Sequence, residues 1–248
     1  MQDRSFDGLG HKFANNIYGS TKGRLRHALL LHHLHAHDFF AKPTASVLDV
    51  GCGLGTMCSE FVSRGFTPQG IDLSEEVIRI AQTTPELKHA HFAVQSLADT
   101  TGQYDLILCH AMLEWVSEPL HAIDQLLALL APKGKLSLSF FSKEAHLYTN
   151  MVYGNFDYIE RGMSSKKTVK LNPQAPVSYQ TVLGHLANKS VNILHTAGLR
   201  CIHDNMRHIT QQEEKYEALL AAEIEYGTQV PYKYLGRYFH IILERAAT

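Results

Sequence analysis

The sequence predicts an α/β fold in which a mostly parallel, doubly wound sheet carries helices on both faces. Short β-rich runs alternate with helical segments along the first half of the chain, and a glycine-rich turn follows directly on the first buried run. The chain has 248 residues, of which 45% are hydrophobic and 19% are charged. This composition excludes a disordered chain, a collagen and a coiled coil, and the length favours one large domain.

The first elements predict a β-α-β unit. Residues 45–50 are typical of a buried strand, and the glycine turn at 51–55 leads into a helix over 56–63. A second strand is predicted over 68–72, and Ser74, which precedes two glutamates, is typical of a residue that caps the next helix.

The same alternation continues through the middle of the chain. Strands are predicted over 91–94 and 104–109, and an amphipathic helix over 119–130 has apolar residues at helical spacing. The segment 132–134, Pro-Lys-Gly, ends that helix and is followed by a fifth strand over 135–141. This pattern calls for strands that lie parallel in one sheet.

The second half of the chain is less regular. Residues 150–172 mix aromatic, glycine and basic residues, which suggests an insertion over the sheet edge. We predict a helix over 177–197, a strand over 199–203, an acidic helix over 211–225 and a final strand over 238–244.

Charge and cysteine content limit the classes of function. Lys and Arg number 23 and Asp and Glu 24, for a net charge of -1, so a generally basic nucleic-acid binder is not indicated. No apolar run approaches the roughly 20 residues that span a bilayer, and the N-terminus has no signal-peptide pattern. The four cysteines form no CxxC pair, which predicts a reducing compartment, and therefore the cytoplasm.

The glycine turn is the first feature that carries chemistry. Gly51, Gly53 and Gly55 are spaced GxGxG after a strand, so the backbone can approach a ligand closely. The dinucleotide fingerprint is GxGxxG, and the shorter spacing favours a ligand without a pyrophosphate. The alternative is a turn that only packs a helix on a strand.

Polar residues follow three other predicted strands, where ligands bind in open parallel sheets. Asp72 ends the second strand, and its carboxylate can accept hydrogen bonds from a ribose diol. Gln95 and Ser96 follow the third strand, and the Gln95 amide suits an adenine edge, while His110 follows the fourth. The alternatives are a helix cap for Asp72, an exposed turn amide for Gln95 and a structural histidine for His110. Trp115 is better explained as core.

Together these features resemble class I S-adenosylmethionine-dependent methyltransferases, which have a Rossmann-like, seven-stranded sheet. A narrower resemblance, to bacterial tRNA 5-carboxymethoxyuridine methyltransferases, extends over essentially the whole chain. It is carried by the segments Met1–Asp7, Asn16–Arg26, His110–Trp115, Gly154–Tyr158, Tyr216–Leu220 and Leu235–Tyr238.

The resemblance implies S-adenosylmethionine as cofactor, held by Arg26, Gly51, Cys52, Gly53, Gly55, Asp72, Gln95, Ser96 and His110. Arg26 would pair with the methionine carboxylate of the cofactor; the alternative is a surface charge on an N-terminal helix. Cys52 stands where relatives carry Gly, and Ser96 where they carry Asp. A carboxylated form of the cofactor, which some relatives with this fold use, is an alternative donor.

The resemblance also implies an organisation of the chain. One domain over 1–248 would comprise an N-terminal helical cap over 1–40 and a cofactor-binding core over 41–142. A substrate-side insertion and helix would follow over 143–198. C-terminal strands and an acidic helix over 199–248 would form an elaborated C-terminal half.

The implied reaction is esterification of the carboxylate of 5-carboxymethoxyuridine at wobble position 34 of a tRNA. A carboxylate with a pKa near 4 is already ionised at pH 7, so we expect no catalytic acid or base. Catalysis would rest on alignment and on partial removal of water. The alternatives are a small-molecule carboxyl or quinone methyltransferase, and a non-catalytic RNA-binding protein that senses the cofactor.

Basic and aromatic residues are the candidates for RNA contact. Lys22, Arg24 and Arg26 form one basic cluster. The second set combines a basic loop with aromatic side chains that suit an unstacked base: Tyr153, Asn155, Phe156, Tyr158, Arg161, Lys166, Lys167 and Lys170. Arg200 and Arg207 are further candidates on the substrate side. The alternative for the loop is a solvated segment with no partner.

Four histidines at 32, 33, 35 and 37 invite a metal-binding interpretation. His33 and His37 are spaced i, i+4 and share a helix face. Because no HExxH motif is present and methyl transfer to an anionic oxygen needs no Lewis acid, we predict no metal and interpret these histidines as incidental surface residues.

Overall fold

The computed structural model describes residues 20–163 and 176–247. Its described residues form a seven-stranded sheet in the order β3-β2-β1-β4-β5-β7-β6. The strands are β1 (Val47–Val50), β2 (Gln69–Asp72), β3 (His91–Val94), β4 (Tyr104–His110), β5 (Leu130–Phe141), β6 (Val191–Leu199) and β7 (Tyr238–Arg245). The predicted α/β fold is confirmed.

Strand direction places a crevice beside β1. Strands β1 to β5 pair in parallel, while β7 lies antiparallel between β5 and β6. The chain passes from β1 to β2 on one side and later returns to β4 on the other. Such a reversal opens a ligand-binding crevice at the carboxyl ends of the strands.

Nine α-helices lie in the described ranges. They are α1 (Thr21–Ala36), α2 (Thr56–Val62), α3 (Glu75–Thr83), α4 (Pro119–Leu129), α5 (Lys143–Val152), α6 (Phe156–Glu160), α7 (Tyr179–Leu186), α8 (Gln211–Glu214) and α9 (Tyr216–Tyr226). Side-chain oxygens of Ser20, Ser74 and Ser142 cap the starts of α1, α3 and α5 by accepting backbone N–H bonds. The predicted cap at Ser74 is therefore confirmed.

Alternate residues of each central strand bury opposite faces of the sheet. Leu48 and Ile107 belong to one apolar cluster with helix α4, whereas Val47 and Leu106 belong to another with Phe61 of α2. Fully burying such a side chain stabilises the fold by about 1.5–3 kcal/mol. The two clusters hold helices against both faces and fix the strand ends in place.

The predicted helix over 177–197 is wrong in its second half, and so is the strand predicted over 199–203. Helix α7 ends at Leu186, and the chain then forms β6, which pairs antiparallel with β7. Val191, Ile193 and Thr196 are β-branched and fit this pairing. The apolar spacing that predicts α7 continues past the end of that helix as far as Gly198, but Gly198 lies inside β6.

Three smaller differences concern helix and strand limits. The acidic helix predicted over 211–225 is two helices, because the chain departs from helical geometry at Lys215. Strand β5 begins at Leu130 rather than at 135, with a register irregularity opposite β4. Helix α5 has no counterpart among the predicted elements, and it forms the start of the segment that leads into the insertion.

Several histidines and all four cysteines are buried in this fold. His33 is only 3% exposed, so its interpretation as a surface histidine is wrong: α1 packs that face against the sheet. All four cysteines are buried free thiols. Among the helices in the described ranges, none combines the length and the apolar character needed to cross a membrane.

Candidate active site

A cavity lies at the carboxyl end of β1. It is lined by Arg26, His27 and Leu30 of α1, Asp49, Gly51, Cys52 and Met57 near the glycine turn, and His110 at the end of β4. The space measures about 410 Å³ and includes open solvent. Four of the predicted cofactor residues, Arg26, Gly51, Cys52 and His110, therefore meet around one cavity.

The glycine turn brings backbone to the cavity wall. Gly51 and Gly53 have φ of 71° and 54°, a left-handed conformation that favours glycine. A Cβ on Gly51 would lie 3.2 Å from Met112 Cγ. At Gly55 a Cβ would lie 2.8 Å from side-chain atoms of Leu87 and Phe92, so that glycine allows the turn to pack against the neighbouring apolar cluster.

Asp72 joins the second strand to the glycine turn. Its Oδ2 accepts the Gly53 backbone N–H over 3.0 Å, and its Oδ1 accepts the Ser74 N–H over 3.0 Å. An ionised carboxylate has about four lone-pair positions, so these two bonds alone do not exhaust it. The backbone N–H of Gln95 donates to the Asp72 carbonyl, which brings the end of β3 beside the end of β2.

Gln95 and Ser96 have partners within their own turn. Gln95 Nε2 donates to Thr100 Oγ1 over 3.0 Å, and Ser96 Oγ donates to Asp99 Oδ2 over 2.6 Å. Both residues lie at the predicted edge of the sheet but do not line the cavity around Arg26. A role at an adenine edge stays a prediction for them.

Asp49 is a cavity residue that the sequence reasoning missed. It is buried inside β1, lines the cavity and accepts a weak bond from Cys58 Sγ over 3.6 Å. Burial raises the pKa of Asp49 to about 7. The available signal was a carboxylate within a strand whose other residues are apolar.

His110 connects the cavity to a chain of polar groups inside the sheet. Its Nε2 lies 2.8 Å from Ser137 Oγ, which lies 2.8 Å from His240 Nε2. Its Nδ1 is buried and has no hydrogen-bond partner within 20–163 and 176–247. Burial, together with the charges of Arg26 and His27, lowers the pKa of His110 to about 3, so the ring is neutral.

Three guanidinium groups form a cluster that starts at this cavity with Arg26. Arg26 and Arg200 both lie over the Tyr238 ring, at 5.2 and 5.9 Å from its centroid. Arg237 lies 4.3 Å from the centroid of Phe141. These contacts stack planar cations on aromatic faces and hold them in fixed positions.

Asp204 compensates part of this positive charge. Arg200 Nε donates to Asp204 Oδ1 over 3.0 Å and Nη2 to Oδ2 over 2.5 Å, while Arg237 Nε lies 3.8 Å from Oδ2. Burial alone would raise the pKa of Asp204, but the bond from His203 and the charge of Arg200 outweigh it and lower that pKa to about 2. Arg200 is thus a buried ion-pair partner.

Glu114 is the other acidic group of the cluster. It is 1% exposed, and its Oε2 accepts the Phe141 backbone N–H over 3.3 Å. Burial raises its pKa to about 7, against the opposing charges of Arg26 and Arg237. Sequence reasoning singled out neither Glu114 nor Arg237, although both lie in segments that carry the family resemblance.

The predicted RNA-contact residues separate into four groups. Tyr153 and Phe156 are 63% and 67% exposed, and Tyr153 Oη donates to the Asp204 carbonyl over 3.4 Å. Asn155 and Tyr158 contact the neighbouring α5 residues Asn150 and His146. Arg207 is exposed. Lys166, Lys167 and Lys170 lie outside the described residues.

These groups fit the chemistry of S-adenosylmethionine, the cofactor that the sequence resemblance implies. The left-handed glycines leave backbone uncovered, Asp72 offers a carboxylate at the end of β2, and the unpartnered His110 Nδ1 is buried in a cavity-lining ring. Arg26 adds a forked cation at the same cavity.

Comparison with known proteins identifies the family. Residues 23–172, more than half of the chain, match the methyltransferase domain family. The chain is 40% identical to the tRNA 5-carboxymethoxyuridine methyltransferase of Escherichia coli K12 over 250 residues, covering 97% of this chain and 96% of that protein. It is 36% identical to the ubiquinone biosynthesis O-methyltransferase of Psychrobacter cryohalolentis over 116 residues, covering 44% of this chain and 45% of that protein.

Solved structures share the fold at low sequence identity. Magnesium protoporphyrin IX methyltransferase from Synechocystis with bound SAH superposes with a TM-score of 0.61 and 18% identity, over 97% of this chain and 96% of that one. The plantazolicin methyltransferase BpumL in complex with SAH has a TM-score of 0.58 and 19% identity, over 97% and 91%. Fold, domain match and near full-length identity agree: the chain belongs to the class I methyltransferase family that includes the E. coli tRNA 5-carboxymethoxyuridine methyltransferase.

Proposed function

We propose that this protein transfers a methyl group from S-adenosylmethionine to the carboxylate of 5-carboxymethoxyuridine at wobble position 34 of a tRNA, in the cytoplasm. The observation that carries the proposal is the extent of the identity. The 40% identity to the E. coli tRNA enzyme covers 97% of this chain, whereas the ubiquinone O-methyltransferase aligns with only 44%. The shared part therefore includes the C-terminal half, where Arg200, Arg237 and Tyr238 lie.

The charge of that C-terminal cluster supports an anionic acceptor. Arg26, Arg200 and Arg237 carry three positive charges, while Asp204 supplies one negative charge and Glu114, whose pKa burial raises to about 7, supplies only part of another. An excess of fixed guanidinium charge beside the cavity suits a carboxylate, which a guanidinium fork can bind in two-point geometry. A neutral quinone ring gains nothing from such an arrangement.

The position of each polar side chain, at the cavity or farther along the arginine cluster, suggests its role. Arg26 lines the cavity and suits the amino-acid end of the cofactor, and Asp72 suits its ribose. Arg237 lies farther along the same cluster and is less committed to Asp204 than Arg200 is, at 3.8 Å against 2.5 Å. We therefore assign Arg237 to the substrate carboxylate and Arg200 to holding Asp204 and the Tyr238 ring.

The chemistry needs alignment rather than proton transfer. Bound S-adenosylmethionine supplies an electrophilic methyl group on a sulfonium: a carboxylate oxygen forms the new bond to that carbon as the carbon–sulfur bond breaks, and sulfur keeps the electron pair. Since the acceptor carboxylate is ionised at pH 7, no side chain has to remove a proton. The arginines of the chain orient the acceptor and limit its hydration.

Exposed aromatic side chains support an RNA substrate. Tyr153 and Phe156 project from the segment between α5 and α6, and the Tyr153 hydroxyl reaches the loop that holds Asp204. An unpaired anticodon base can stack on such a face while its modified side chain extends toward the arginines. Lys166, Lys167 and Lys170 follow in the sequence and remain candidates for phosphate contact.

The test is methyl transfer from labelled S-adenosylmethionine to tRNA that carries 5-carboxymethoxyuridine, with nucleoside mass analysis before and after mild alkali. We expect a gain of one methyl on that nucleoside, lost in alkali because it is an ester. A gain that survives alkali would place the methyl on nitrogen, carbon or ribose instead. No gain with intact cofactor binding, measured by calorimetry, would refute the proposal and favour a small-molecule substrate or a non-catalytic binder.

A further inference from the structure

Two buried histidines and one half-buried histidine, from three different elements, meet on one face of the sheet. His33 lies on α1, His195 on β6 and His240 on β7, and one ring nitrogen of each lies within 4.8 Å of the others. His33 Nδ1 is 3.0 Å from His240 Nδ1, and the ring centroids of His33 and His195 are 4.4 Å apart. The catalytic proposal uses none of these three side chains.

One polar atom of this cluster has no protein partner. His195 Nε2 is buried and has no hydrogen-bond partner within the described ranges, although a buried polar atom normally has one. The Nδ1 atoms of His33 and His240 lie at hydrogen-bond distance, so one ring donates to the other, and a bound metal ion would replace that bond. A group that accepts several nitrogen lone pairs at once would satisfy all three rings.

The chemistry of the cluster selects the class of ligand. One imidazole ring nitrogen from each of the three residues is the donor set that this cluster offers. Neutral imidazole nitrogens suit zinc and other divalent first-row transition metals, whereas Mg²⁺ and Ca²⁺ take oxygen ligands.

One nitrogen–nitrogen distance is close to that of such a site, and the other rings, within 4.8 Å, must turn toward the ion. Two nitrogens bound at about 2.0–2.1 Å to a tetrahedral zinc ion lie roughly 3.3 Å apart. The 3.0 Å between His33 Nδ1 and His240 Nδ1 needs an opening of only a few tenths of an ångström. The second ring nitrogen of His240 lies 2.8 Å from Ser137 Oγ, the kind of outer hydrogen bond that orients metal-bound histidines.

We propose that His33, His195 and His240 form a three-histidine binding site for a divalent transition metal ion of the zinc type. The ion fastens α1 to the antiparallel strands β6 and β7. This link joins residues 207 positions apart in the sequence and holds in place the helix that carries Arg26 to the cavity. This proposal departs from the prediction of no metal, because His33, one of the histidines in the run 32–37, is buried against His240.

The proposed metal site also fixes the proton positions in the hydrogen-bonded series His240–Ser137–His110, which reaches the cavity. When a metal ion takes His240 Nδ1, the proton of that ring lies on Nε2 and is donated to Ser137 Oγ. The Ser137 hydroxyl then donates to His110 Nε2, and the His110 proton must lie on Nδ1. The metal thus makes the cavity-lining His110 a hydrogen-bond donor at Nδ1.

The test uses the full chain, stripped with a chelator and desalted, and titrated with Co²⁺ as a spectroscopic probe and then Zn²⁺. We expect one equivalent of Co²⁺ to give the visible absorption of a tetrahedral site, which Zn²⁺ abolishes. His195→Asn is the informative variant because His195 is only half-buried, and we expect it to weaken Zn²⁺ binding by more than about tenfold. Circular dichroism establishes that it folds.

His35→Asn is the matched control, since His35 is an exposed histidine of the same helix outside the cluster. It should bind Co²⁺ and Zn²⁺ like the wild type. Equal Zn²⁺ affinity in the two variants, or no tetrahedral Co²⁺ spectrum in the wild type, would overturn the proposal. Nitrogen NMR of the His110 ring gives a second readout, with the proton on Nδ1 when Zn²⁺ is bound. Neither readout depends on methyl transfer.

Discussion

The backbone N–H of Gly53 donates a hydrogen bond to Asp72 Oδ2 over 3.0 Å. The carboxylate proposed for the cofactor ribose therefore also fixes the glycine turn at the end of β1. The alternative role for this aspartate, a cap for the following helix, belongs to Ser74, and Asp72 Oδ1 accepts the backbone N–H of that capping residue. The proposed ribose contact and the local fold therefore depend on one side chain.

Replacement of Asp72 tests its role in cofactor binding. We expect Asp72→Ala to weaken S-adenosylmethionine binding by roughly 1.5–3 kcal/mol, the contribution of hydrogen bonds to a charged group. Calorimetric titration measures the effect. Asp124→Asn is the control, because it removes a carboxylate that contacts His185 and Lys189. Wild-type affinity in Asp72→Ala would exclude the ribose assignment.

The elements up to β5 could be predicted from the sequence because local signals agree there with the tertiary structure. The strand at 91–94 and the cap at Ser74 depend on residues that are close in the chain. Strand β6 depends on pairing with β7, whose residues lie about forty positions later, and an apolar run alone does not specify that pairing.

The residues of the candidate site can likewise be divided into those that local sequence signals predict and those that depend on long-range contacts. The glycine turn and Asp72 were predictable because strand ends in a parallel sheet place them together. Asp49, Glu114 and Arg237 were missed because burial and long-range charge, rather than sequence spacing, give them their properties. The burial of His33 likewise follows from the docking of α1 on β7, which no local pattern in the chain indicates.

Arg237 is expected to bind the acceptor and not the cofactor. Arg237→Gln should raise KM for the modified tRNA by at least about tenfold, the scale of one lost charge-assisted bond, and leave cofactor affinity unchanged. Steady-state kinetics and calorimetry measure the two effects separately. Arg79→Gln, at an exposed site on α3, should change neither. An unchanged KM in Arg237→Gln would remove this residue from the acceptor site.

The buried Asp49 predicts a pH-dependent stability. Burial raises its folded pKa to about 7, above the ordinary value of 3.8, so the folded chain retains a proton that the unfolded chain has lost. Between these values the free energy of unfolding falls as pH rises, by up to about 1.4 kcal/mol per pH unit for one group. Asp49→Asn should therefore gain stability relative to wild type from pH 5 to pH 7, measured by urea unfolding. The same difference at both pH values would contradict the raised pKa.

The methyl-transfer step should be nearly independent of pH. In single turnovers with saturated enzyme, we expect a flat rate from about pH 6 to 9, because the acceptor carboxylate is ionised throughout that range. Glu114 and the cavity-lining Asp49, whose burial raises both pKa values to about 7, are able to perturb this profile. An inflection near pH 7 that persists in both Glu114→Gln and Asp49→Asn would show that a base takes part in the reaction.

The basic loop predicts a salt-dependent contribution to tRNA affinity. If Lys166 and Lys167 neutralise two phosphates, their double replacement by Ala should lower the slope of log K against log salt by roughly 1.4–1.8. Fluorescence anisotropy at several salt concentrations measures this slope, and cofactor binding should not change. Lys88→Ala, which removes an exposed lysine near β3, serves as the control. Because the slope counts neutralised phosphates, a slope that the double replacement leaves unchanged would assign the tRNA backbone to other residues, with Lys22 and Arg24 on α1 as the next to replace.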